Sequence, residues 1–590
     1  MKVRIGTRGS ELALWQAHHV QALLGALGVE SELVVLKTRG DVIDHVPLQQ
    51  VEGKAFFTAE IENALLEGRV DLAVHSHKDL PTENTPGLVI GAVPERGPQG
   101  ERLLIAPAAH DPHAAFLPLR RGARVGTSAP RRNEQLRTLR PDLEVLDLRG
   151  NVPTRVRRLQ EGRYDAIVLA CAGLDRLKLD IGELVAFDLP AELVTPAPAQ
   201  GALALQVREA DAELLALCRA ELHHPPTAAA VEAERSLLVT SGGGCSLPLA
   251  AAIGLDRRRQ QSPPPHLGGT EAGANGRSIS LQDARQPATA EHASSADTFV
   301  AHAFLGAGHP ASLPQPPRFP RWSIGRGATP AAAIADARAR LESGAPTGFG
   351  PLAGLRVALA GSAADGSVLG ERLESLGAHV VLEKLLEFEP IAQADVRAAL
   401  ARLRHGDVVA LTSRQAAHSL AGARIPAGVT LAAVGPACAR ALEQLGLRAE
   451  VVGHGGGEAL AARLQLAPDA SVLWPCAEDA LPDFSRALAL RGVSVRQLAV
   501  YRTRLVRGVQ LARDVRARVY MSPSAVEAAS DWERAHAASD VQRFALGHAT
   551  AAALAAAQLP AFAPSCDGAP ITEALVAELW RRFGQQETRR

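Results

Sequence analysis

The sequence has no excess of either charge, no long apolar run and no organised set of cysteines. It carries 63 basic and 63 acidic side chains in 590 residues, so its overall charge does not indicate a nucleic acid or a membrane as a partner. No uninterrupted apolar stretch reaches the roughly 18 residues that a membrane-spanning helix needs, and residues 1–5 enter a strand-like run without a signal peptide. The six cysteines lack metal-type spacing, which is typical of a reducing cytosol. We therefore expect a cytoplasmic protein with no metal site.

Lysine is also scarce, with six lysines against 57 arginines. Lys54 and Lys78 stand out against this background. A lysine in so arginine-rich a chain can reflect a need for a compact ammonium group at that position, or it can reflect random drift. The sequence leaves both explanations open. The length excludes a single core and predicts three to five domains.

Two α/β regions flank a segment of different composition. Residues 1–255 alternate short apolar runs with helical patterns, which predicts an α/β fold with mostly parallel strands. Residues 256–320 are rich in Pro, Gly, Ser, Ala and Gln and are predicted to contain disordered segments. A helix over 329–343 and a linker follow, and a second α/β series, long enough for two small domains, begins at residue 355. The predicted strands are 3–6, 31–36, 72–75, 88–93, 144–148, 166–170, 278–281, 299–304, 357–360, 380–385, 408–411, 431–434, 472–474, 496–500, 519–521 and 543–546, and the first two predicted helices are 10–27 and 58–67.

A polar heptapeptide, His-Ser-His-Lys-Asp-Leu-Pro at 75–81, follows the apolar run at 70–74. Ligands of open α/β sheets bind at the carboxyl ends of the strands, where this heptapeptide is predicted to lie. Asp79 is therefore a candidate acid in a cleft, with Lys78 beside it. An ordinary polar turn explains the same pattern equally well.

Two arginine-rich loops lie within residues 120–158, which hold eleven arginines and four acids. Each loop, at 126–132 and at 148–155, follows a short strand and begins a helix. Free N–H groups at a helix start and neighbouring guanidinium groups together bind carboxylate or phosphate. The pattern favours a small polyanionic ligand over a solvated basic face.

A glycine run at 242–244 presents Cys245. Such a loop lets the backbone approach a ligand closely, and the cysteine on it is a candidate nucleophile. Its thiolate fraction at neutral pH depends on a positive field, which the arginines could supply. A small buried hydrophobic residue is the other interpretation.

Together these motifs resemble those of the porphobilinogen deaminases (hydroxymethylbilane synthases). The resemblance rests on 7–10 (Thr-Arg-Gly-Ser), 12–17 (Leu-Ala-Leu-Trp-Gln-Ala), 38–41 (Thr-Arg-Gly-Asp), 75–81, 126–132, 148–155 and 242–245, in order and spacing over about residues 1–255. It implies stepwise deaminative polymerisation of four porphobilinogen molecules to hydroxymethylbilane. The primer would be a dipyrromethane cofactor held by Cys245 through a thioether.

The resemblance also implies site residues and domains. Asp79 would be the catalytic carboxylate, which binds pyrrole N–H groups and stabilises the cation formed as ammonia leaves. The implied fold is two periplasmic-binding-protein-like domains (1–98 with 194–216, and 99–193) and a small α/β domain (217–344) that carries the cysteine and an insertion at about 256–320. The implied cofactor-binding residues are Cys245, Lys78, Ser128, Arg131 and Arg132, and the implied substrate-binding residues are Arg8, Ser10, Lys54, Thr127, Arg149, Arg155, Arg176 and Gln200.

The second α/β series resembles uroporphyrinogen-III synthase. Hydroxyl groups and N–H groups that follow its strands, at 412–413, 435–442, 501–503, 522–526 and 547–550, suit a ligand with carboxylates. The resemblance implies domains at 352–386 with 504–590 and at 390–499, after a linker at 345–351. Tyr501 would face the cleft and assist loss of the terminal hydroxyl, with cyclisation and D-ring inversion to uroporphyrinogen III. The substrate-binding residues would be Thr412, Ser413, Ser522 and Thr550.

The leading hypothesis is thus a multifunctional enzyme of tetrapyrrole and heme biosynthesis, a transferase fused to a lyase. Its expected partners are porphobilinogen and hydroxymethylbilane, without nucleic acid or membrane, and its expected state is a monomer. One alternative is a deaminase with a degenerate, structural second half. The other is a non-enzymatic anion-binding module.

Overall fold

The computed structural model describes thirteen segments of the chain. The predicted strand 278–281, Lys54 and Cys245 lie outside them. The described residues are 2–36, 58–241, 247–255, 298–306, 321–342, 350–391, 393–453, 456–467, 469–480, 482–506, 508–536, 540–564 and 571–584. They form two compact units, 1–357 with 368–380 and 565–590, and 358–367 with 381–564.

The first unit begins with ten strands and six helices. The strands are β1 (Lys2–Arg8), β2 (Glu30–Leu36), β3 (Leu72–Ser76), β4 (Leu88–Ala92), β5 (Glu101–Ile105), β6 (Arg124–Gly126), β7 (Glu144–Leu146), β8 (Ala166–Ala170), β9 (Val185–Leu189) and β10 (Leu203–Arg208). The helices are α1 (Glu11–Ala26), α2 (Ala59–Leu66), α3 (Pro130–Leu139), α4 (Val152–Gln160), α5 (Cys171–Leu177) and α6 (Ala212–Leu217).

These strands form two five-stranded sheets of the same design, in the orders β2-β1-β3-β10-β4 and β7-β6-β8-β5-β9. In each sheet one strand is antiparallel to its neighbours, β10 in the first and β5 in the second. The prediction of an α/β fold is confirmed, and four of the five strands in each sheet run in the same direction, but the antiparallel strand makes two of the four pairings in each sheet antiparallel. The chain passes between the sheets twice, before β5 and before β10, and both passages lie beside the polar strand ends that form the site.

The core of the first sheet explains why its strands are apolar runs. Ile5, Leu72 and Leu205 are buried beside Val20 and Leu24 of α1. Helices that cover both faces of a mostly parallel sheet leave no exposed face, so its strands need no polar alternation. Strand β3 is buried along its length except at its last residue, Ser76, so its exposed polar groups lie at its end, whereas the edge strand β2 keeps exposed side chains along its length.

A three-stranded antiparallel sheet follows, in the order β11-β12-β13. One face of this sheet packs against the helices at 225–240 and 330–342. The second helix lies so close to the sheet that a Cβ added at Gly325 would be 2.0 Å from the Ala333 carbonyl oxygen. The predicted strand at 299–304 and the predicted helix at 329–343 are both confirmed. The elements are α7 (Pro225–Thr240), β11 (Leu249–Leu255), β12 (Phe299–Leu305), β13 (Arg321–Gly327) and α8 (Pro330–Glu342).

The rest of the chain is a second mixed α/β series with two sheets, ordered β15-β14-β22-β23 and β16-β21-β20-β17-β18-β19. Strand β21 is eleven residues long and pairs antiparallel with β16 and parallel with β20. The strands are β14 (Arg356–Gly361), β15 (His379–Lys384), β16 (Leu386–Pro390), β17 (Val408–Leu411), β18 (Thr430–Ala433), β19 (Val451–Val452), β20 (Val472–Ala477), β21 (Val495–Leu505), β22 (Ala517–Tyr520) and β23 (Gln542–Ala545). The helices are α9 (Ala363–Ser375), α10 (Gln393–Leu400), α11 (Arg414–His418), α12 (Pro436–Glu443), α13 (Gly457–Arg463), α14 (Asp483–Ala489), α15 (Pro523–Ala535), α16 (His548–Ala556) and α17 (Ile571–Leu579). In the described part of the chain, no helix is long and apolar enough to cross a membrane.

Candidate active site

The heptapeptide at 75–81 lies at the carboxyl end of β3, as predicted. The strand ends in a single 3-10 turn over His77–Asp79, and the backbone N–H of His77 donates to the Ala202 carbonyl at 3.0 Å. Lys78 is partly buried and its Nζ donates to Gln200 Oε1 at 3.2 Å, whereas Asp79 is exposed. The turn therefore presents an accessible carboxylate beside a held ammonium group.

The two histidines of the heptapeptide are packing groups. His75 Nε2 lies 3.1 Å from Gln206 Oε1, and the amide nitrogen of Gln206 donates to Glu62 at 2.9 Å. Because the Gln206 oxygen can only accept, the His75 ring donates from Nε2, which fixes its tautomer. Burial lowers the pKa of His75 to about 4 and that of His77 to about 3, so both rings are neutral at pH 7.

Ser128 joins the two arginine loops. Its hydroxyl donates to the Leu148 carbonyl at 2.8 Å and accepts from the Leu148 N–H at 3.0 Å. Its neighbour Thr127 is buried and accepts from the backbone N–H of Ala129. The side chain of Asn151 caps α4 by accepting from the Thr154 N–H at 2.9 Å. The loops are thus fixed to each other and to their helices before any ligand binds.

Arg131 and Arg132 share one buried acid, Glu101, the first residue of β5. Arg132 donates to both oxygens of Glu101, at 3.0 and 2.6 Å, and Arg131 donates to one of them at 2.7 Å. Burial would raise the pKa of Glu101, but the two guanidinium groups outweigh it and lower that pKa. The three groups together keep one net positive charge, because two cations share one anion.

Three other arginines have no ion pair with an acid among the residues that the structure describes. Arg155 donates from Nε to the Gly150 carbonyl at 2.7 Å, and Arg176 donates from Nη2 to the Gly201 carbonyl at 2.7 Å. In Arg149 the buried Nη2 has no hydrogen-bond partner within the described chain. Burial lowers the pKa of Arg155 and of Arg176 to about 10, so both are charged at pH 7.

Gln200 connects these groups rather than facing solvent. It is fully buried, and its Oε1 accepts from Lys78 and from Arg131. Its amide nitrogen donates to the carbonyls of Gln99 and Gly100, at 2.7 and 3.1 Å. Gln99 and Gln200 belong to the two passages between the sheets. The Gln200 side chain therefore connects these two passages to each other and to the cations of Lys78 and Arg131.

A cavity of about 100 Å³ lies among these groups. Its described lining contains four cationic side chains and no acid. A concave site with this excess of positive charge favours a ligand that carries carboxylates. The residues that determine its charge are Lys78, Arg132, Arg155 and Arg176.

Two further predicted residues lie at the start of the chain. Arg8 ends β1, and Ser10 caps α1 by accepting from the Ala13 N–H at 3.3 Å.

Sequence reasoning did not identify Glu101 or Glu234 as important. Each is an acid buried in an apolar element, and this contrast was the only signal that could have found them.

In the second α/β series the structure brings together Tyr501, Ser413 and Thr412. The Tyr501 hydroxyl donates to Ser413 Oγ at 3.1 Å, and Ser413 also caps α11. The buried indole of Trp474 donates to Thr412 Oγ1 at 2.9 Å. Phe388 contacts the Tyr501 ring edge to face at 5.5 Å. Tyr501 belongs to β21, and its hydroxyl reaches the carboxyl end of β17, where Ser413 lies. Ser413 and Phe388 together fix the orientation of the Tyr501 side chain.

The other two predicted residues of this series belong to the smaller sheet. Ser522 follows β22 and caps α15 by accepting from the Ala525 N–H at 3.3 Å. Thr550 is buried in the first turn of α16, after β23. Both follow strands, as predicted, but the buried hydroxyl of Thr550 is the less accessible of the two.

Comparison with known proteins gives two family matches. Residues 3–216 match the family model described as porphobilinogen deaminase, dipyromethane cofactor binding domain, and residues 367–567 match that of uroporphyrinogen-III synthase HemD. A porphobilinogen deaminase of Nitratidesulfovibrio vulgaris (strain Miyazaki F) is 51% identical over 251 residues, which are 42% of this chain and 77% of that protein. That of Syntrophotalea carbinolica is 49% identical over 251 residues, with the same coverage. A mutant uroporphyrinogen III synthase of Thermus thermophilus is 23% identical, with a TM-score of 0.28, and the match covers 39% of this chain and 99% of that chain.

Proposed function

The chain belongs to the porphobilinogen deaminase family, and we propose that the residues gathered at the ends of β3, β6 and β7 are its deaminase active site. With the synthase domain that follows, the chain is an enzyme of tetrapyrrole biosynthesis that combines a transferase and a lyase. The matches do not favour a non-enzymatic anion-binding module or a purely structural second half. The observation that carries the proposal is the cation-lined cavity beside the exposed carboxylate of Asp79.

The residues present fit a dipyrromethane cofactor, which carries carboxylate side chains. The Arg131 Nε and Arg149 Nη2 atoms are buried without a partner in the described chain, and the cavity lining has an excess of positive charge. Arg131, Arg132, Lys78 and the loop that Ser128 holds would bind the group, with Cys245 as its covalent attachment. When bound, the cofactor supplies the primer to which pyrrole units are added.

Asp79 is proposed as the catalytic carboxylate. Its short side chain is exposed at the end of a buried strand, so its position is fixed while its oxygens stay accessible. A fixed carboxylate accepts hydrogen bonds from pyrrole N–H groups and stabilises the positive charge that develops as ammonia leaves. Arg149, Arg155 and Arg176, with Arg8, Ser10, Lys54, Thr127 and Gln200, are proposed to bind or position the carboxylates of substrate and product.

Replacing the two central residues tests this assignment. We expect Cys245→Ala to lack the dipyrromethane-sized addition that a mass spectrum of the wild-type protein would show. We expect Asp79→Asn to keep that addition and to lose about 100-fold or more in kcat, because charge stabilisation is lost while shape is kept. Glu95→Ala, at an exposed acid outside the site, is the matched control. Wild-type protein without the addition, or near-normal turnover of Asp79→Asn, would contradict the assignment.

For the second activity we propose that Tyr501 assists loss of the terminal hydroxyl of hydroxymethylbilane. The hydrogen bond from Tyr501 to Ser413 and the Phe388 contact support this, because they orient the phenol. Thr412, Ser413, Ser522 and Thr550 are proposed to bind the substrate. The test supplies hydroxymethylbilane to the full chain carrying Cys245→Ala, which cannot make its own.

We expect this protein to yield uroporphyrinogen III, and the further substitution Tyr501→Phe to shift the product towards the uncatalysed type I isomer. Replacement of the exposed Arg502, next to Tyr501 but paired with Glu478, by lysine is the control. Type I isomer alone from the Cys245→Ala protein would overturn the proposed synthase activity, whereas loss in the Arg502 control would reject the specific role of Tyr501.

A further inference from the structure

Trp15 contacts Arg176, one of the cations of the cavity. The Arg176 Cζ atom lies 5.4 Å from the centre of the Trp15 ring, within the range of a cation–π interaction. Trp15 belongs to α1, which packs on the first sheet, whereas Arg176 belongs to α5, which follows β8 of the second sheet. The contact therefore connects elements of the two sheets at the cavity.

The guanidinium group of Arg176 is held without being neutralised. One nitrogen donates to the Gly201 carbonyl, and the ring of Trp15 contacts the cation, but in the described chain no acid forms an ion pair with it. Arg131 and Arg132 differ, because both pair with Glu101. An aromatic face fixes a cation through its quadrupole and leaves the full charge for an incoming anion.

The backbone carbonyl that holds Arg176 is itself fixed. Gly201 has a φ of +84°, and its carbonyl also accepts from the Gly97 N–H at 3.1 Å. An added Cβ at Gly201 would lie 2.6 Å from the carbonyl oxygens of Gly97 and Pro98, so only glycine fits. The second anchor of Arg176 therefore cannot shift to compensate for loss of the ring.

We infer that Trp15 is a positioning residue for the deaminase reaction, which holds Arg176 as an un-neutralised cation for a carboxylate of porphobilinogen or of the growing chain. Two neighbours of Trp15 on α1, Leu12 and Gln16, line the same cavity, so the ring lies beside the binding site. The inference rests on the proposed deaminase function and adds a residue outside the set assigned above.

Three substitutions of Trp15 separate position from charge. We expect Trp15→Leu to raise KM for porphobilinogen about five- to tenfold, the size expected for a partly desolvated cation–π contact, with kcat within about twofold. We expect Trp15→Phe, which keeps an aromatic face, to recover most of this loss. Trp15→Glu would hold Arg176 by an ion pair but neutralise it, and we expect KM to rise at least as much as in Trp15→Leu.

The control is His18→Ala. His18 is an exposed residue of α1 whose ring lies 3.2 Å from Gln21 Oε1 and which does not line the cavity, so its loss is expected to leave KM unchanged. Wild-type KM in Trp15→Leu, or in Trp15→Glu, would overturn the inference, and so would a fall in kcat and melting temperature without a rise in KM. Failure of the proposed function is distinguishable, because the wild-type protein would then carry no dipyrromethane-sized addition and form no hydroxymethylbilane.

Discussion

The partial burial of Lys78 disfavours the charged form of its ammonium group. Burial lowers its pKa to about 8, while Asp79 raises it and Arg132 and Arg131 lower it further. Because the ordinary pKa is 10.5, the unfolded chain binds more protons than the folded chain between about pH 8 and 10.5. The contribution of Lys78 to stability therefore increases with pH in that range, whereas its ability to bind a carboxylate decreases.

This opposition predicts a pH dependence of substrate binding. Lys78 lines the same cavity as Arg155 and Arg176, which are proposed to bind the substrate carboxylates. We therefore expect KM for porphobilinogen to rise above about pH 8, because loss of the ammonium proton reduces the positive charge of that cavity. Lys78→Arg keeps its charge at all these pH values and is expected to lack this increase, even where its KM at pH 7 is higher. KM measured from pH 6.5 to 9.5 in both proteins checks the prediction, and parallel profiles would exclude Lys78 as the titrating group.

His75 and His77 predict the acid sensitivity of the fold. Their pKa values in the folded chain are about 4 and about 3, against 6.5 ordinarily, because burial disfavours the charged ring. Between pH 6.5 and 4 the unfolded chain therefore binds more protons, and the free energy of unfolding falls as pH falls through this window. We expect His75→Gln, which can still donate to Gln206, to reduce the drop in melting temperature between pH 7 and 5, and an unchanged drop would contradict this.

At the scale of elements, α7 joins the third sheet to the passages between the first two. Glu234 of this helix is fully buried and pairs with both terminal nitrogens of Arg96 at 2.8 Å. It also accepts from the backbone N–H groups of Ala199, at 2.7 Å, and Ile253, at 2.8 Å. The helix ends at Thr240, five positions before Cys245 in the sequence, so this ion pair anchors the helix that precedes the proposed cofactor attachment.

Removing one partner of this pair leaves a buried charge uncompensated. We expect Glu234→Gln to reduce stability by about 3–5 kcal/mol and to lower the fraction of protein that carries the dipyrromethane-sized addition. The control is Asp336→Asn on α8, where the pair with Arg340 is partly exposed and contributes about 1 kcal/mol or less. Calorimetry and mass spectra of both variants check the prediction. If Glu234→Gln and Asp336→Asn had equal melting temperatures, Glu234 would not be a structural anchor.

The elements also show what the sequence can predict. Strands such as β3 and β8 are apolar runs because helices cover both faces, and their positions follow from the pattern. Strand β16 was missed, because Leu385 alone separates it from β15 and the two strands enter different sheets. Among the site residues, Asp79 and the arginines are identifiable from local motifs. The partnership of Glu101 with Arg131 and Arg132 is not, because it depends on sheet pairing between distant segments.

At the scale of the whole molecule, the C-terminal helix α17 and Trp580, which directly follows it, lie in the same compact unit as the deaminase residues. The rings of Phe116 and Trp580 are 4.9 Å apart, and Phe116 is buried in a left-handed conformation with φ of +64°. Arg372 pairs with Glu573 of α17 at 3.1 Å and also donates to the carbonyl of Thr138, at the end of α3. A strained, buried aromatic residue persists only where its surroundings hold it, so these contacts stabilise residues 116–138 from outside the matched deaminase segment.

This arrangement predicts that a substitution near the C-terminus weakens the deaminase. We expect Trp580→Ala to lower the temperature at which deaminase activity is lost on heating, although residue 580 lies far outside the matched segment 3–216. Trp580→Phe keeps the aromatic pair and is expected to restore most of the difference. A double-mutant cycle with Phe116→Ala should give a coupling of about 1 kcal/mol, since an aromatic pair contributes about that much beyond its buried area. If heating inactivated only the synthase activity earlier, with the deaminase unaffected, the C-terminal helix would have no stabilising role for the first unit, and the two activities would denature independently.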